Sequence, residues 1–385
     1  MRKAVISRIF CIVLALFAAI NNATLYCDAM VLPVDLPIPS VSAQSAILIE
    51  VSGGRILYEK NARVRLPMAS TTKIMTAIVA LENASPDMLV EVSPAAVGIE
   101  GSSVYLYAGE RLTLEALLYA LLLESANDAA VAIAIAVAGD TESFVEQMNQ
   151  KAVQLRLSDT HFVNPHGLDH PDHYTTAQDL SKIAAYCMQN EIFREIVSTQ
   201  RMTIPLHDQE QARLLLNHNR LLRSYEGAIG LKTGFTKRSG RCLVSAAQRN
   251  GVELIAVTLN APDDWNDHRN MLDYGFEGNI SLLLQTAGGY RRTLPVIGKQ
   301  PGSVTVSNRN EIRIVLPKSH GPLTVACELP RWVAGEITQG QQLGRLIWYC
   351  DGAIIAEEAL IAQSSYSPSQ DFPFFKRLFS WLFPH

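Results

Sequence analysis

"LPMASTTKIMTA", residues 66–77, combines the signals of a helix start with a lysine inside an apolar run. Pro67 and the hydroxyl residues after it are typical of a helix N-terminus, and the apolar residues 74–81 predict a helix buried on most sides. Ser70 and Lys73 are three residues apart, so they share a face of the first turn. A buried lysine is costly unless it is paired or used in chemistry. The alternative is a capping serine beside a lysine that extends to solvent.

Apolar runs with turn residues between them predict strands on both sides of this helix. Residues 45–59, "SAILIEVSGGRILYE", contain two such runs joined at Gly53-Gly54, which indicates a β-hairpin. After Gly227 the runs "AIGLKTGF", "RCLVSAAQ" and "ELIAVTLN" predict three more strands, with Asn250-Gly251 as the hairpin turn between the last two.

The chain between these strands has the pattern of helices. Residues 112–137 form an Ala/Leu-rich helical stretch that is broken around 124–128, and an amphipathic helix follows with Thr141 as its predicted cap. "AQDLSKIAAYCMQN" predicts a further helix. Strands at both ends with helices between them predict an α+β domain, an antiparallel sheet covered by helices, over residues 31–277.

Length and charge limit the classes of function. The 385 residues are enough for two domains. The net charge of −4 and the isoelectric point near 6.2 provide no basic footprint for a nucleic acid, and we expect no nucleic-acid partner.

The N-terminus has the layout of a secretory signal peptide. Three basic residues precede an apolar run at residues 9–20, and small residues follow it. We therefore expect residues 1–30 to be a signal peptide and the protein to be exported to the outer face of the bacterial cytoplasmic membrane.

The sequence pattern changes in the C-terminal part of the chain. Residues 282–365 consist of short β-type runs separated by Gly and Pro, which predicts a second, all-β domain. Residues 366–385 form a polar linker and the tail "DFPFFKRLFSWLFPH". The tail is too short to span a bilayer, but its broad apolar arc suits an amphipathic helix lying on a membrane surface. The alternative is a terminal helix that docks on its own domain.

Neither cysteines nor histidines form a recognisable metal site. The six cysteines contain no C-x-x-C pair, and Cys327 and Cys350 are either a disulfide or two buried thiols. "HGLDHPDH" gathers three histidines and two aspartates at residues 166–173. Zinc is one interpretation of this stretch, but the spacing is irregular, and a loop packed near an active site is the preferred one. We expect no metal and no cofactor.

Two further motifs accompany Ser70 and Lys73 in chain order. S-A-N at residues 125–127 lies in the break of the helical stretch, and K-T-G at residues 232–234 lies on a predicted strand. Each motif is weak alone, but the ordered set resembles the S-x-x-K, S-D-N and K-T-G motifs of penicillin-binding proteins and serine β-lactamases. The middle motif departs from that pattern at Ala126, whose side chain is not the chemical one.

The closer resemblance is to low-molecular-mass penicillin-binding proteins that are serine-type D-alanyl-D-alanine carboxypeptidases of peptidase family S11. It rests on the three motifs and on "FVNPHGLDHPDHYTTAQDL", and it extends through the β domain and the amphipathic tail. It implies a β-lactamase/transpeptidase-like fold and removal of the terminal D-alanine from peptidoglycan stem peptides through an acyl-enzyme. β-Lactams such as penicillin are then expected to be inhibitors.

The motifs assign chemical roles. Ser70 is the expected nucleophile and Lys73 its general base, because burial and a nearby second cation favour a neutral amine. Ser125 is expected to relay a proton to the leaving amine. The resemblance implies a set of substrate-binding residues: Asn127, Lys232, Thr233, Gly234 and, through its backbone N–H, Phe235. Arg269 is a further suggested partner of the substrate carboxylate.

Three alternatives remain open from the sequence. A β-lactamase needs a water-activating glutamate, and no convincing motif for one lies between residues 125 and 232. A D,D-endopeptidase would use the same site on cross-links. A non-catalytic penicillin-binding sensor would keep the fold while its acyl-enzyme never turned over.

Overall fold

The computed structural model of the protein describes residues 36–205, 212–297 and 302–367. These residues fall into two compact units, of which the first is Asp35–Ile280 and the second begins at Ser281. All the motif residues belong to the first unit.

Several predictions about the chain ends are not addressed by this structure. The predicted signal peptide, residues 1–30, and the predicted amphipathic tail, residues 371–385, lie outside the described residues. The domain limits 31–277 and 282–365 stay predictions. Among the helices that the structure describes, none is long and apolar enough to cross a membrane.

An antiparallel sheet of five strands organises the first unit. The strands described there are β1 (Ser45–Glu50), β2 (Ile56–Lys60), β3 (Leu89–Glu91), β4 (Arg111–Thr113), β5 (Arg201–Pro205), β6 (Ala212–Leu216), β7 (Ala228–Thr236), β8 (Gly240–Arg249) and β9 (Val252–Leu259). The main sheet has the order β2-β1-β9-β8-β7, whereas β3-β4 and β5-β6 form separate two-stranded sheets. Each residue of β1 is buried, so both faces of the sheet are covered at its centre.

Helices supply those covering layers. The helices described are α1 (Lys73–Asn83), α2 (Leu114–Leu123), α3 (Asn127–Ala138), α4 (Thr141–Gln154), α5 (Ala177–Cys187), α6 (Glu191–Ser198), α7 (Leu221–Ser224) and α8 (Asp264–Gly278). Both α5 and α8 pack on β1 and β9. Helix α1 is buried along its first eight residues, and burial of a side chain such as Ile74 contributes about 1.5–3 kcal/mol.

Both predicted hairpins of the main sheet are confirmed. β1 pairs with β2 across Gly53-Gly54, and β8 pairs with β9 across Asn250-Gly251. Asn250 and Gly251 have φ values of 50° and 79°, which is the left-handed pair that a tight two-residue hairpin turn needs. The predicted break in the helical stretch is also present, between α2 and α3.

The cap predicted at Thr141 is wrong. Helix α4 begins at Thr141, but its N-cap is Asp140, whose Oδ1 accepts the N–H of Ser143 at 2.6 Å. The Thr141 hydroxyl instead donates to Glu142 Oε2 at 3.0 Å. The residue before the helix has the extended backbone from which a side chain can reach the free N–H groups of the first turn.

The second unit is all-β in its described part, as expected. Its strands are β10 (Asn279–Gln285), which starts at the boundary, β11 (Arg291–Ile297), β12 (Gly302–Asn308), β13 (Ile312–Pro317), β14 (Leu323–Glu328), β15 (Val333–Ala334), β16 (Gln342–Cys350) and β17 (Ala353–Ala362). Six of them form a sheet of order β14-β16-β17-β12-β11-β15, and β10 pairs with β13. Val306, Trp348 and Leu360 contribute to its core.

Cys327 and Cys350 are free thiols on neighbouring strands. They are out of register, because Cys327 faces Leu346 across the β14–β16 pair. Cys327 is buried, and its Sγ lies 3.0 Å from the Tyr290 hydroxyl. Of the two interpretations left open by the sequence, the structure has free thiols, but Cys350 is half-buried rather than buried.

Candidate active site

Ser70 lies on a 3₁₀ turn, Ala69–Thr72, that leads directly into α1. The residue before it, Ala69, has φ +46°, a left-handed conformation that costs energy for a residue with a Cβ atom. Hydroxyl groups stabilise the turn, since Thr71 Oγ1 donates to the carbonyl of Met68 at 2.6 Å and Thr72 Oγ1 donates to that of Ala69 at 2.7 Å.

The amine of Lys73 is enclosed by three oxygen atoms. Lys73 has no exposed surface, and its Nζ lies 3.0 Å from Ser70 Oγ. The same nitrogen donates to Asn127 Oδ1 at 2.6 Å and to the carbonyl oxygen of His166 at 2.6 Å. The first motif therefore brings the hydroxyl and the amine into hydrogen-bonding contact without water between them.

Two buried lysines lie in this site, and both have a lowered pKa. Burial lowers the pKa of Lys73 well below its usual 10.5, and the charge of Lys232 acts in the same direction while Asp128 opposes it. Burial also lowers the pKa of Lys232 to about 7, and the charge of Glu124 opposes that shift. A neutral amine at residue 73 is therefore favoured when residue 232 is charged.

The second motif spans the end of the loop after α2 and the first residue of α3, Asn127. Ser125 is buried with φ +62°, which is a strained backbone for a serine. Asn127 Nδ2 donates to the carbonyl of Glu100 at 2.5 Å, and the backbone N–H of Asn127 donates to that of Ser102 at 2.7 Å. These bonds fix the orientation of the amide, so its oxygen faces Lys73.

Strand β7 carries the third motif and passes close to the 3₁₀ turn. A Cβ added at Gly234 would lie 3.0 Å from Ser70 N and 3.1 Å from the Cβ of Ala69. These distances are tighter than most contacts of a Cβ atom, so glycine suits the close approach of the strand. The neighbouring Thr233 is half-buried, and the side chain of Phe235 is 66% exposed.

A cleft of about 330 Å³ opens beside Ser70. It is lined by Ser70, Ser102, Ser125, His218, Arg220, Thr233, Gly234, Phe235, Arg241, Asp264 and Trp265. A larger cavity of about 780 Å³ lies between α3, α4 and the loop before His166, but it contains none of the motif residues. The chemistry therefore belongs to the smaller cleft.

Known proteins with this arrangement identify the family. The sequence profile of the D-alanyl-D-alanine carboxypeptidase family matches residues 33–263, more than half of the chain. The D-alanyl-D-alanine carboxypeptidase DacF of Bacillus subtilis is 32% identical over 351 residues, which cover 87% of this chain and 88% of that protein. The chain belongs to the D-alanyl-D-alanine carboxypeptidase family.

Solved structures agree with this membership. Penicillin-binding protein 5 from Haemophilus influenzae aligns with a TM-score of 0.70 and 27% identity, over 87% of this chain and 100% of that chain. A mutant of the Streptomyces K15 DD-transpeptidase aligns with a TM-score of 0.59 and 34% identity, over 62% of this chain and 100% of that one. The expected fold, family and hydrolase class are confirmed.

The histidine-rich loop of this carboxypeptidase packs against residues of the first and third motifs and their neighbours. No group of three or more metal-ligating side chains occurs in residues 36–205, 212–297 and 302–367. His166 offers its backbone carbonyl to Lys73, and His173 Nε2 lies 2.8 Å from Thr72 Oγ1. Asp169 accepts a hydrogen bond from Thr236 Oγ1 at 2.9 Å.

Several lining residues of the cleft lie outside the three motifs. Arg241 faces Phe235 across the β7–β8 pair, and its guanidinium and that of Arg220 each lie 5.9 Å from the ring centre of Trp265. The sequence feature that could have identified Arg241 is the group of basic residues just after K-T-G. Arg269, which the sequence suggested, is not in the lining and donates to Asn266 Oδ1 at 3.2 Å.

Proposed function

We propose that this family member hydrolyses the terminal D-Ala–D-Ala bond of peptidoglycan stem peptides through an acyl-enzyme on Ser70. The observation that carries the proposal is the 3.0 Å contact between Ser70 Oγ, at the edge of the cleft, and Nζ of the fully buried Lys73. A serine hydroxyl needs an adjacent base to become a nucleophile, and a desolvated lysine is a suitable one.

The hydrogen bonds of Lys73 are consistent with a neutral amine. A neutral amine has two N–H groups and one lone pair. Asn127 Oδ1 and the carbonyl of His166 can only accept, so they take the two N–H groups. The lone pair is then directed at Ser70, whose hydroxyl can donate. In this arrangement the amine is ready to take the proton when Oγ attacks the substrate carbonyl carbon.

The negative charge that develops on the carbonyl oxygen needs two donors. The N–H of Ser70 is the first, at the start of the helical segment, and we propose the N–H of Phe235 as the second. The position of Gly234 against Ser70 N is consistent with two donors from adjacent segments. Loss of one such donor typically costs about 10²–10³ in rate.

The remaining motif residues complete the cycle. Ser125 passes the proton to the amine of the leaving D-alanine as the C–N bond breaks, and water then hydrolyses the ester on Ser70. Asn127 holds Lys73 and the substrate amide. Lys232 and Thr233 bind the terminal carboxylate, and Gly234 allows the peptide to lie along the edge of β7.

The test is release of D-alanine by protein lacking residues 1–30. We expect the parent to release D-alanine from a D-Ala-D-Ala peptide, and Ser70→Ala to release none. Mass spectrometry after penicillin treatment should find one adduct, on the peptide containing Ser70. Labelling without turnover would instead favour the non-catalytic sensor, and fast hydrolysis of the penicillin ester would favour a β-lactamase.

We also propose that the protein is exported and held on the membrane surface by its C-terminal tail. Family members act on the cell wall, which is consistent with a location in the envelope. The proposal is supported by the signal-peptide pattern of residues 1–30 and by the amphipathic pattern of residues 371–385. Deleting 371–385 should release the protein from membranes, and continued sedimentation with membranes would contradict the anchor.

A further inference from the structure

A chain of three hydrogen bonds links a buried histidine to the backbone beside Ser70. His173 Nδ1 accepts the backbone N–H of Val163 at 3.0 Å, and His173 Nε2 lies 2.8 Å from Thr72 Oγ1. Thr72 Oγ1 lies 2.7 Å from the carbonyl oxygen of Ala69. His173 is 3% exposed and Thr72 is fully buried, so water does not compete for these bonds.

One arrangement of protons gives each of these three hydrogen bonds both a donor and an acceptor. The N–H of Val163 can only donate, so His173 Nδ1 carries no proton. In the neutral ring Nε2 then carries the proton and donates to Thr72. The carbonyl of Ala69 can only accept, so the Thr72 hydroxyl donates to it. Burial lowers the pKa of His173 to about 3, with the charges of neighbouring histidines and Lys73 acting in the same direction, which keeps the ring neutral.

The last acceptor shares a peptide group with the nucleophile. The carbonyl of Ala69 and the N–H of Ser70 belong to one planar trans peptide and point in opposite directions. A bond that fixes the carbonyl therefore fixes the direction of the N–H. This restraint matters because Ala69 has φ +46°, a conformation that a residue with a Cβ atom would otherwise leave. Ser70 N itself faces β7 at Gly234.

We propose that His173 is a positioning residue which, through Thr72 and the Ala69–Ser70 peptide, aims the Ser70 N–H at the oxyanion of the tetrahedral intermediate. The inference rests on the proposed function, because it assumes that Ser70 is the nucleophile. Charge on the substrate oxygen appears only as the bond to Ser70 forms, so misdirection of the N–H slows acylation more than it weakens substrate binding.

Two substitutions of His173 separate positioning from packing. His173→Gln places an amide N–H near the position of Nε2 and keeps a donor for Thr72. His173→Asn places an amide oxygen near the position of Nδ1, which keeps the acceptor for Val163 N–H but leaves Thr72 without a donor. We expect His173→Gln to acylate within about threefold of the parent and His173→Asn to be slower by at least about tenfold.

The readout compares a tetrahedral ligand with a planar one. A peptidyl boronic acid forms a tetrahedral adduct with a reactive serine, whereas the product peptide binds without one. In His173→Asn we expect the boronic acid to bind at least about tenfold more weakly and the product peptide to bind within twofold of the parent. Equal loss for both ligands, or acylation of His173→Asn within twofold of the parent, would overturn the proposal.

A second pair of variants protects the test against a folding defect. Thr72→Val removes the hydroxyl at constant shape, and Thr72→Ser keeps it. We expect Thr72→Val to reproduce the slower acylation and the selective loss of boronic-acid binding, and Thr72→Ser to avoid both. The double variant His173→Asn/Thr72→Val should acylate no more slowly than the slower single variant, because both substitutions act through the same series of hydrogen bonds. Fully additive losses would contradict this. The parent is assayed first: absence of an adduct on Ser70 there would overturn the proposed function, whereas an adduct with normal acylation in the variants overturns only this inference.

Discussion

The amine of Lys73 is surrounded by protein oxygen atoms rather than by water. Because Ser70 lies one turn away on the same face, a single backbone segment supplies both the proposed nucleophile and its proposed base. Asn127 and the carbonyl of His166 come from two other segments and complete the environment. The charge state of Lys73 is therefore set by the fold as a whole.

The two lysines predict a bell-shaped pH dependence of kcat/KM. On the acid side the rate rises with pH as Lys73 loses its proton, because only the neutral amine can act as the base. On the alkaline side it falls as the pH passes above about 7, because Lys232 loses the charge that binds the substrate carboxylate. Steady-state kinetics across the pH range on one peptide measures both limbs.

Lys232→Arg provides the control for the alkaline limb. A guanidinium stays charged throughout this range, so the variant should lose the fall above about 7 while keeping the acid limb. A parent whose kcat/KM stays flat between pH 7 and 9 would contradict the role of Lys232.

At the scale of elements, sequence patterns predicted the parts that local chemistry determines. The turns at Gly53-Gly54 and Asn250-Gly251 need residues that adopt left-handed backbone, and such residues are visible in a sequence. The β5–β6 pair was not predicted, because each strand has five residues and only Ile204 and Leu215 are deeply buried. Arg220 is the N-cap of α7, and Trp265 lies in the first turn of α8. Both line the cleft, and only tertiary packing brings these two helices together.

The approach of β7 to the 3₁₀ turn predicts a selective effect of Gly234→Ala. The added Cβ would lie 3.0 Å from Ser70 N, so the strand or the turn must shift by a few tenths of an ångström. We expect acylation by penicillin to slow by about 10²-fold, as for loss of one oxyanion donor. Stopped-flow or quenched labelling measures this rate.

Gly54→Ala is the matched control for that prediction. Gly54 has φ +65° and open space around the position of a Cβ, so alanine there strains the β1–β2 turn by about 1–2 kcal/mol without touching the cleft. It should lower the melting temperature and leave acylation within about twofold of the parent. If Gly234→Ala acylates as fast as Gly54→Ala, the close approach has no role in catalysis.

At the scale of the molecule, every residue to which we assign a role in the chemistry belongs to the first unit. The whole of the Streptomyces K15 structure aligns with 62% of this chain, so part of this chain has no counterpart in that relative. The sequence indicated a change to β-type patterns near residue 282, but it contains no pattern that defines what the all-β unit binds.

We therefore expect a chain ending at Ile280 to retain the chemistry. Its kcat/KM on a soluble D-Ala-D-Ala peptide should lie within about threefold of the longer protein, because no motif residue is removed. Loss of acylation from a truncated chain with an unchanged circular dichroism spectrum would show that the second unit contributes to the site.

The central claim is that the neutral amine of Lys73 removes the proton of Ser70 as its oxygen attacks. The most direct measurement is the acylation rate of Lys73→Met by penicillin, with the adduct located by mass spectrometry, since methionine fills a similar volume without a base. The account predicts acylation at Ser70 that is slower by about 10²–10⁴-fold. Acylation of Ser70 within about threefold of the parent rate would contradict it.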